Sequence, residues 1–232
     1  HSTSRRQRQM CIRDSIKAIA AGNHKLSAIA AVLEAKSTNL TKYLKTLMDL
    51  DILERRVPVT EENPEKSKRG LYKIKDNYLR FWFAFIYPNM SFIESGHSGI
   101  VMDKIRKGLT TSHIGFVYED ICQERMWELN VNNAWPFQFS KLGGYWDAKN
   151  EIDIAALDPE GKNLILGECK YWKEPVGLNV LHALETKACD VAWERDRRKV
   201  WYVLFSISGF SDELRNHAAT RDDLLLIDDG ER

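Results

Sequence analysis

The chain of 232 residues has few cysteines and no apolar run long enough to cross a membrane. Its four cysteines are scattered and form no C-x-x-C pair, which argues against a zinc site and indicates the reduced thiols of a cytoplasmic protein. The longest apolar run covers residues 81–87, far short of the roughly 20 residues that a membrane-spanning helix needs. Residues 1–13 are polar and basic with no apolar segment behind them, so we expect no signal peptide and no membrane contact.

A glycine-rich phosphate loop is also missing. The pattern G-x-x-x-x-G-K-[ST] requires glycine five positions before its second glycine, but Ala156 stands at that distance from Gly161-Lys162. We therefore expect no ATP site in this chain. The first residue is His1 rather than Met, which is consistent with a fragment of a longer protein.

The formal net charge of +1 hides an asymmetry between the two parts of the chain. Residues 1–75 contain 16 Lys and Arg against 8 Asp and Glu, whereas residues 76–232 contain 18 against 25. A basic first third joined to an acidic remainder is typical of a nucleic-acid-binding module attached to a different domain. Two ordinary solvated surfaces would give the same totals, so charge alone leaves both interpretations open.

The first third has the pattern of three helices followed by a two-stranded ribbon. Apolar residues recur at helical spacing in three segments, which begin near residues 10, 26 and 37. Two strands are then predicted on either side of a polar loop, over residues 52–59 and 70–75. This order predicts a winged-helix module over residues 1–76.

A winged helix places its third helix in the DNA major groove and its ribbon, the wing, against the backbone. Lys42 and Lys45 lie on the polar face of the third predicted helix, and Lys68 and Arg69 lie on the wing, so these four are the candidate DNA contacts. Three glutamates in the same wing would oppose a phosphate surface. A module that binds only protein therefore remains the alternative.

Six aromatic residues crowd into residues 78–87, within a predicted helical connector over residues 77–108. We expect this stretch to be a helix that is buried between the two modules and ends at Pro88. A platform on which nucleobases stack is the alternative, but aromatic residues at helical spacing more often form a core.

The remainder is predicted to contain a β-hairpin with strands over residues 150–157 and 163–170. Because side chains alternate along a strand, Glu168 and Lys170 share one face, and Ile152 and Ile154 are expected to share one face of the neighbouring strand. Asp153, Glu168 and Lys170 are then expected to converge at one end of the sheet. Buried charges of this kind are costly unless they pair or hold a metal.

The hairpin is part of a longer predicted order, α-β-β-β-α-β. A helix over residues 111–130, which carries Glu119, precedes the strands. The other predicted elements are strands over residues 136–141, 145–157, 199–206 and 224–227 and helices over residues 177–192 and 211–219. This order predicts a mixed α/β domain over residues 109–232.

The spacing of Asp153 and Glu168-x-Lys170 resembles the active-site motif of the PD-(D/E)xK nuclease superfamily. The whole chain over residues 11–230 also resembles the C-terminal half of archaeal and bacterial DEXX-box ATPases, whose domain of unknown function is related to those nucleases. The motifs that carry this resemblance lie at residues 72–83, 143–147, 151–154 and 167–170. It implies an α/β (α+β) fold in which an N-terminal winged helix precedes a restriction-endonuclease-like mixed sheet.

This resemblance also implies roles for particular residues. Asp153 and Glu168 would hold Mg²⁺ or Mn²⁺, with the carbonyl oxygen of Cys169 as a further ligand. Lys170 would orient or help to deprotonate a water molecule and stabilise charge on the phosphate, and Glu119 would supply another carboxylate. In such proteins an ATPase domain precedes the winged helix, so the implied partners are DNA and an ATPase domain, in the same chain or in another.

Two functions of different classes follow from these patterns. The first is a metal-dependent DNA endonuclease, and the second is a non-catalytic DNA- or protein-binding module that docks or regulates an ATPase. A third interpretation is a salt-bridged sheet rim without chemistry, in which Lys170 is neutralised by Asp153 or Glu168 away from solvent. Carboxylate oxygens of Asp153 and Glu168 within joint reach of one cation would favour the endonuclease.

Overall fold

A computed structural model of the protein describes residues 12–230. These residues form two compact units, one made of residues 12–57 and 63–109 and the other of residues 58–62 and 110–230. Residues 77–108, the expected connector, fall in the first unit. None of the helices within the described residues is long and apolar enough to cross a lipid bilayer.

The first unit begins with three helices, α1 over residues 12–20, α2 over Leu26–Val32 and α3 over Ser37–Asp49. Gly22 adopts a left-handed backbone conformation (φ of 93°) and lets the chain turn between α1 and α2. Apolar side chains at helical spacing meet in one core, to which Ile19, Ile29 and Leu44 contribute fully buried side chains. The three helices therefore lie where the apolar periodicity predicts them.

An antiparallel ribbon follows, with β1 over Leu53–Arg56 and β2 over Leu71–Ile74. The Arg55 guanidinium donates hydrogen bonds to the carbonyl oxygens of Pro64 (2.8 Å) and Ser67 (2.5 Å), and so fastens the connecting loop to β1. β1 ends earlier than predicted because Pro58 has no N–H to offer a ladder and the next residue, Val59, donates its N–H elsewhere. The order of three helices and a ribbon matches the prediction.

The aromatic stretch is helical but largely half-exposed. It lies in α4 (Asn77–Phe81), a π-helical turn (Trp82–Ile86) and the start of a 3₁₀ turn (Tyr87–Asn89). The connector then continues through α5 (Met90–Glu94) and α6 (Ser98–Leu109). Of its six aromatic residues only Phe85 is buried, and Tyr78 is 65% exposed. The prediction of a buried helix that ends at Pro88 is therefore wrong. Pro88 lies in the first turn of the 3₁₀ segment, where a missing N–H is tolerated.

The second unit is a five-stranded mixed sheet between helices. The strands, in spatial order, are β3 (Lys141–Trp146), β4 (Glu151–Leu157), β5 (Asn163–Lys170), β6 (Lys199–Ser206) and β7 (Leu224–Asp228). The first three are antiparallel neighbours, and β5, β6 and β7 run parallel. Helix α7 (Gly115–Val131) packs on one face of the sheet, and α8 (Leu178–Asp190) and α9 (Asp212–Ala218) pack on the other. The unit is therefore a three-layer α/β structure.

Two predicted strands differ from the structure. Residues 136–140 form no strand, and the stretch predicted as one strand over residues 145–157 is split between β3 and β4 by a turn. The Asp147 carboxylate causes this turn, because its Oδ1 accepts hydrogen bonds from the backbone N–H groups of Lys149 (2.7 Å) and Asn150 (2.8 Å). This hairpin supplies the fifth strand of the sheet.

The burial difference within the aromatic stretch gives a test of the first unit. Phe85→Ala is expected to destabilise the unit by about 3–5 kcal/mol, because it leaves a cavity beside Val101 and Ile105. Tyr78→Ala is the matched control and is expected to change stability by less than about 0.5 kcal/mol. Denaturant unfolding followed by circular dichroism measures both. Equal losses in the two variants would contradict the assignment of Phe85 to this core.

Candidate functional site

β4 contains an extra residue beside Asp153. Between Gly143 and Tyr145, two steps along β3 correspond to three steps along β4, which is a β-bulge. The bulge reverses the alternation of side chains, so that Ile152 packs on the α8 face of the sheet and Ile154 on the α7 face. The prediction that Ile152 and Ile154 share one face is therefore wrong, because the extra residue shifts the phase of the strand.

The Asp153 carboxylate points from this bulge toward the end of β5. The β4–β5 ladder ends with Ile154 opposite Gly167. Beyond that pair, Asp153 Oδ2 accepts a hydrogen bond from the backbone N–H of Cys169 at 2.8 Å. Gln123 of α7 donates to the backbone carbonyl oxygen of Asp153 at 3.2 Å. The carboxylate and its backbone are thus both held by hydrogen bonds.

Gly167 sets the position of the neighbouring residues of β5. A Cβ atom at this position would lie 2.6 Å from Cγ1 and 2.8 Å from the carbonyl oxygen of Val203 on β6. Real Cβ atoms do not approach this closely, so a larger residue would push β5 away from β6. The glycine therefore allows β5 to pair closely with β6, and this pairing sets the position of the next residue, Glu168.

Glu168 lies between two lysines. Its side chain is only 6% exposed, and its two carboxylate oxygens are contacted by different ammonium groups. Lys170 Nζ contacts Oε2, and Lys187 Nζ of α8 donates to Oε1 at 2.6 Å. Lys170 Nζ also lies 3.5 Å from Asp153 Oδ2. One ammonium group therefore joins carboxylates that come from two different strands.

A second contact fixes the other lysine of this cluster. Lys187 Nζ donates to the backbone carbonyl oxygen of Glu151 at 2.7 Å, as well as to Glu168. The helix α8 is thereby attached to the first residue of β4 and to Glu168, two residues before the end of β5. We call Asp153, Glu168, Lys170 and Lys187 the carboxylate–lysine cluster.

The cluster shifts the pKa of its members in different directions. Burial and the Glu168 carboxylate raise the pKa of Asp153, and the nearby ammonium groups only partly offset this. Burial alone would raise the pKa of Glu168 too, but the two lysines outweigh it and the pKa of Glu168 is lowered. Burial would lower the pKa of Lys170, but the two carboxylates outweigh it and raise that pKa. Lys170 is therefore protonated at neutral pH, and Asp153 is the carboxylate whose ionised form is disfavoured by burial.

Glu119 lies on the other face of the sheet from Glu168 and Lys170. It belongs to α7, whose side chains pack with the Cys169 thiol. Burial is the largest cause of the raised pKa of Cys169, with further contributions from Cys122 and from two carboxylates, one of which is Glu119. The structure therefore places Glu119 beside β5 at the level of Cys169.

Sequence reasoning missed Lys187. This residue follows Val180 and Leu184 at the spacing that defines the buried stripe of α8, and both of those side chains are buried. A lysine within an apolar helical stripe either extends its ammonium group to solvent or pairs with a nearby carboxylate. This position becomes a signal for a contact between α8 and Glu168 once a buried carboxylate is suspected on the neighbouring strand.

The candidate DNA-binding residues lie in the first unit. Lys42 and Lys45 are exposed on α3, and Lys68 and Arg69 are exposed in the loop that leads into β2. The structure thus brings Asp153, Glu168 and Lys170 together in the second unit, and these four basic residues belong to a different body.

A pocket of about 260 Å³ lies in the second unit but away from the cluster. It surrounds the turn between β4 and β5, at the opposite end of these strands, and Asp158, Trp193 and Glu194 are among its lining residues. Asp158 is engaged in that turn, because Oδ1 accepts from the Lys162 N–H at 2.9 Å. The carboxylate–lysine cluster, rather than this pocket, holds the candidate chemistry.

Solved structures resemble the chain only distantly. A repair endonuclease from Pyrococcus abyssi is 13% identical, with 44% of each chain covered and a TM-score of 0.29. An O-methyltransferase of neocarzinostatin biosynthesis is 12% identical, with 95% of this chain and 62% of that chain covered and a TM-score of 0.23. Neither likeness is close enough to support an argument about fold or activity.

Sequence similarity is stronger. An uncharacterised protein of Methanocaldococcus jannaschii is 42% identical over 159 residues, which are 68% of this chain and 35% of that protein. The chain thus spans about a third of the length of this relative. Residues 82–188, which include the whole carboxylate–lysine cluster, match the family DUF234, described as archaeal and bacterial proteins of unknown function.

Proposed function

We propose that the carboxylate–lysine cluster is the centre of a metal-dependent DNA endonuclease. One observation supports this above the others: a single cation, the Lys170 ammonium group, contacts carboxylates of both Asp153 and Glu168. The two carboxylates are therefore within joint reach of one positive charge. Splayed carboxylates would have favoured a binding module without chemistry. A salt-bridged rim would contain the same contacts but would close Lys170 off from solvent, whereas the Lys170 side chain is 19% exposed.

The donor atoms suit a hard divalent cation. Asp153 and Glu168 provide carboxylate oxygens, and the carbonyl oxygen of Cys169 belongs to the residue directly after Glu168. Within residues 12–230 no group of three or more His, Cys, Asp and Glu side chains is arranged to hold a metal. Two carboxylates are nevertheless enough for Mg²⁺ or Mn²⁺, since Mg²⁺ usually keeps several waters and binds substrate phosphate through them or directly. Burial and the Glu168 carboxylate raise the pKa of Asp153, which means that they disfavour its ionised form, and a bound cation would favour that form.

The residues of the cluster would divide the work of hydrolysing a phosphodiester. A bound Mg²⁺ or Mn²⁺ would supply an activated water and charge stabilisation at the phosphate. Lys170, which is protonated, would donate hydrogen bonds to the attacking water or to the phosphate oxygens rather than remove a proton. Lys187 would position Glu168 through its 2.6 Å contact with Oε1. Glu119, which lies on the opposite face of the sheet beside the Cys169 thiol, is assigned no step.

We also propose that the first unit binds DNA in the manner of a winged helix. Three helices followed by a ribbon give the required order, with α3 as the helix that enters the major groove. Lys42 and Lys45 are exposed on α3, and Lys68 and Arg69 are exposed beside β2. The positive charge of these exposed side chains suits contacts with phosphates and agrees with the basic character of residues 1–75.

Metal binding is tested by thermal unfolding. Mn²⁺ or Mg²⁺ should raise the melting temperature of the parent, since a ligand at a hundredfold excess over its Kd stabilises the folded state by about 2.7 kcal/mol. Asp153→Asn should abolish that rise, because it removes one of the two negative charges that hold the cation. Differential scanning fluorimetry with and without EDTA measures both. A parent whose melting is unaffected by millimolar Mn²⁺ would count against the metal centre.

The same variant separates metal binding from folding. The folded-state pKa of Asp153 is raised, so its ionised form costs folding free energy at neutral pH, and this cost disappears as pH falls and the carboxyl is protonated. Asn removes the charge but can still accept the hydrogen bond from the Cys169 N–H. Without metal, Asp153→Asn is therefore expected to be at least as stable as the parent near pH 7. A large loss of stability would instead show that Asp153 has mainly a structural role.

Catalysis is tested by incubating the protein with supercoiled plasmid and Mn²⁺. The parent is expected to nick the plasmid, Asp153→Ala to be inactive, and Lys187→Gln to be slowed by about 10- to 100-fold, as for residues that position a metal ligand. Glu160→Gln, a carboxylate change at the exposed turn between β4 and β5, is the control and should leave the rate unchanged. No cleavage by the parent, despite metal-dependent stabilisation, would favour the non-catalytic module.

DNA binding by the first unit is tested through its salt dependence. Each lost phosphate contact should reduce the slope of log affinity against log salt concentration by about 0.9. A variant with Lys42, Lys45, Lys68 and Arg69 all replaced by Ala should therefore show a clearly flatter slope in fluorescence anisotropy titrations with duplex DNA. An unchanged slope would remove DNA binding from this unit, whatever the result of the cleavage assay.

A further inference from the structure

Trp172 lies on a short loop directly beyond the cluster. The loop joins β5 to α8 and is fastened at both ends: Ile207 N donates to Lys170 O at 3.4 Å, and Val176 N donates to Gly209 O at 2.9 Å. Between these points, Ser208 Oγ donates to the carbonyl oxygen of Trp172 at 2.5 Å. The backbone that carries the indole is therefore held in place before any ligand arrives.

The indole ring points away from the core. Trp172 is 48% exposed, whereas the ring of its neighbour Tyr171 packs edge-on against Tyr118 of α7, with centroids 5.7 Å apart. The ammonium group near the Trp172 ring is that of Lys170, whose Nζ lies 5.8 Å from the ring centroid. A half-exposed aromatic face thus adjoins the lysine that bridges Asp153 and Glu168.

Another exposed tryptophan of the same unit makes the contrast clear. Trp127 of α7 is 44% exposed, but its ring packs on Phe139 with centroids 4.9 Å apart. Within the described residues, the Trp172 ring packs on no other aromatic ring, and the Lys170 ammonium group lies over it. Packing on Phe139 accounts for the position of the Trp127 ring, whereas no contact with another aromatic ring among the described residues accounts for the position of the Trp172 ring.

We propose that Trp172 is a platform on which one unpaired base of the substrate stacks, beside the phosphate held at the cluster. This inference rests on the proposed endonuclease function for the position of that phosphate. A base within a continuous duplex is stacked on both sides and shows only its edges in the grooves. A base lies on an aromatic ring without the cost of unpairing only where the strand is single or locally melted, and a positive charge beside the ring suits the adjoining phosphate. The substrate class is therefore DNA with a single-stranded segment, such as an overhang, a flap, a loop or a melted stretch of a supercoiled plasmid.

The platform is tested by binding in EDTA, where metal-dependent cleavage cannot occur. Fluorescein-labelled oligothymidine is titrated with parent protein, and Trp172→Ala is expected to weaken binding by about 5- to 150-fold, the range that one base–aromatic stack provides. Trp172→Phe should recover much of the loss, while Trp172→Leu, which keeps apolar bulk without an aromatic face, should not. Trp127→Ala is the matched control and should bind as the parent does. Circular dichroism melting establishes that each variant is folded.

An abasic scan shows whether the contact is to a base. Replacing one thymine at a time by an abasic site should weaken binding to the parent at the position that meets Trp172, and should make no difference to Trp172→Ala. Affinity for a blunt duplex should be the same for parent and Trp172→Ala. An equal loss for duplex and single strand, or abasic effects that persist unchanged in Trp172→Ala, would overturn the proposal.

These measurements separate the platform from the endonuclease. If the abasic effect vanishes in Trp172→Ala but no DNA is cut, the platform is supported and the endonuclease is not. If plasmid is cut with Mn²⁺ but removing the indole leaves single-strand binding unaltered, the endonuclease is supported and the platform is overturned.

Discussion

The second unit depends on how two carboxyl groups are accommodated at the buried end of a sheet. An isolated buried carboxylate is strongly disfavoured, so Asp153 and Glu168 require positive partners and hydrogen-bond donors. Lys170 and Lys187 provide the charge, and the backbone N–H of Cys169 provides a donor. Because the carboxylates and their partners come from β4, β5 and α8, the electrostatics also determine how three elements meet. The same arrangement leaves Asp153 with a raised pKa, which is the imbalance that a divalent cation would relieve.

Much of this architecture could be predicted from sequence, because it follows from periodicity. Apolar residues at helical spacing located α1, α2 and α3, and apolar runs located β5, β6 and β7. Alternation along β5 was enough to place Glu168 and Lys170 on one face, and the convergence with Asp153 followed from a tight turn. These features depend on local rules that hold wherever a regular strand or helix forms.

The predictions for β3 and β4 were wrong where a side chain, instead of a backbone carbonyl group, accepts a hydrogen bond from a backbone N–H group. The Asp147 carboxylate bonds to the backbone of its own turn and divides a predicted strand into β3 and β4. The bulge beside Asp153 depends on tertiary hydrogen bonds from Cys169 and Gln123, which no local pattern shows. Lys187 was overlooked for a different reason, since a lysine on a helix is ordinarily read as solvated. Its position in a buried stripe becomes informative only when the partner carboxylate is already suspected.

The bulge in β4 has a consequence for how this segment tolerates changes in length. The residues before and after it serve opposite layers, with Ile152 packed beneath α8 and Ile154 beneath α7. Deleting one residue here would restore strict alternation and turn every side chain between the bulge and the Asp147 turn to the other layer. A single substitution alters the packing of one side chain, whereas a deletion changes the sheet face on which all of these side chains lie. The length of β4, as much as its chemistry, is therefore under constraint.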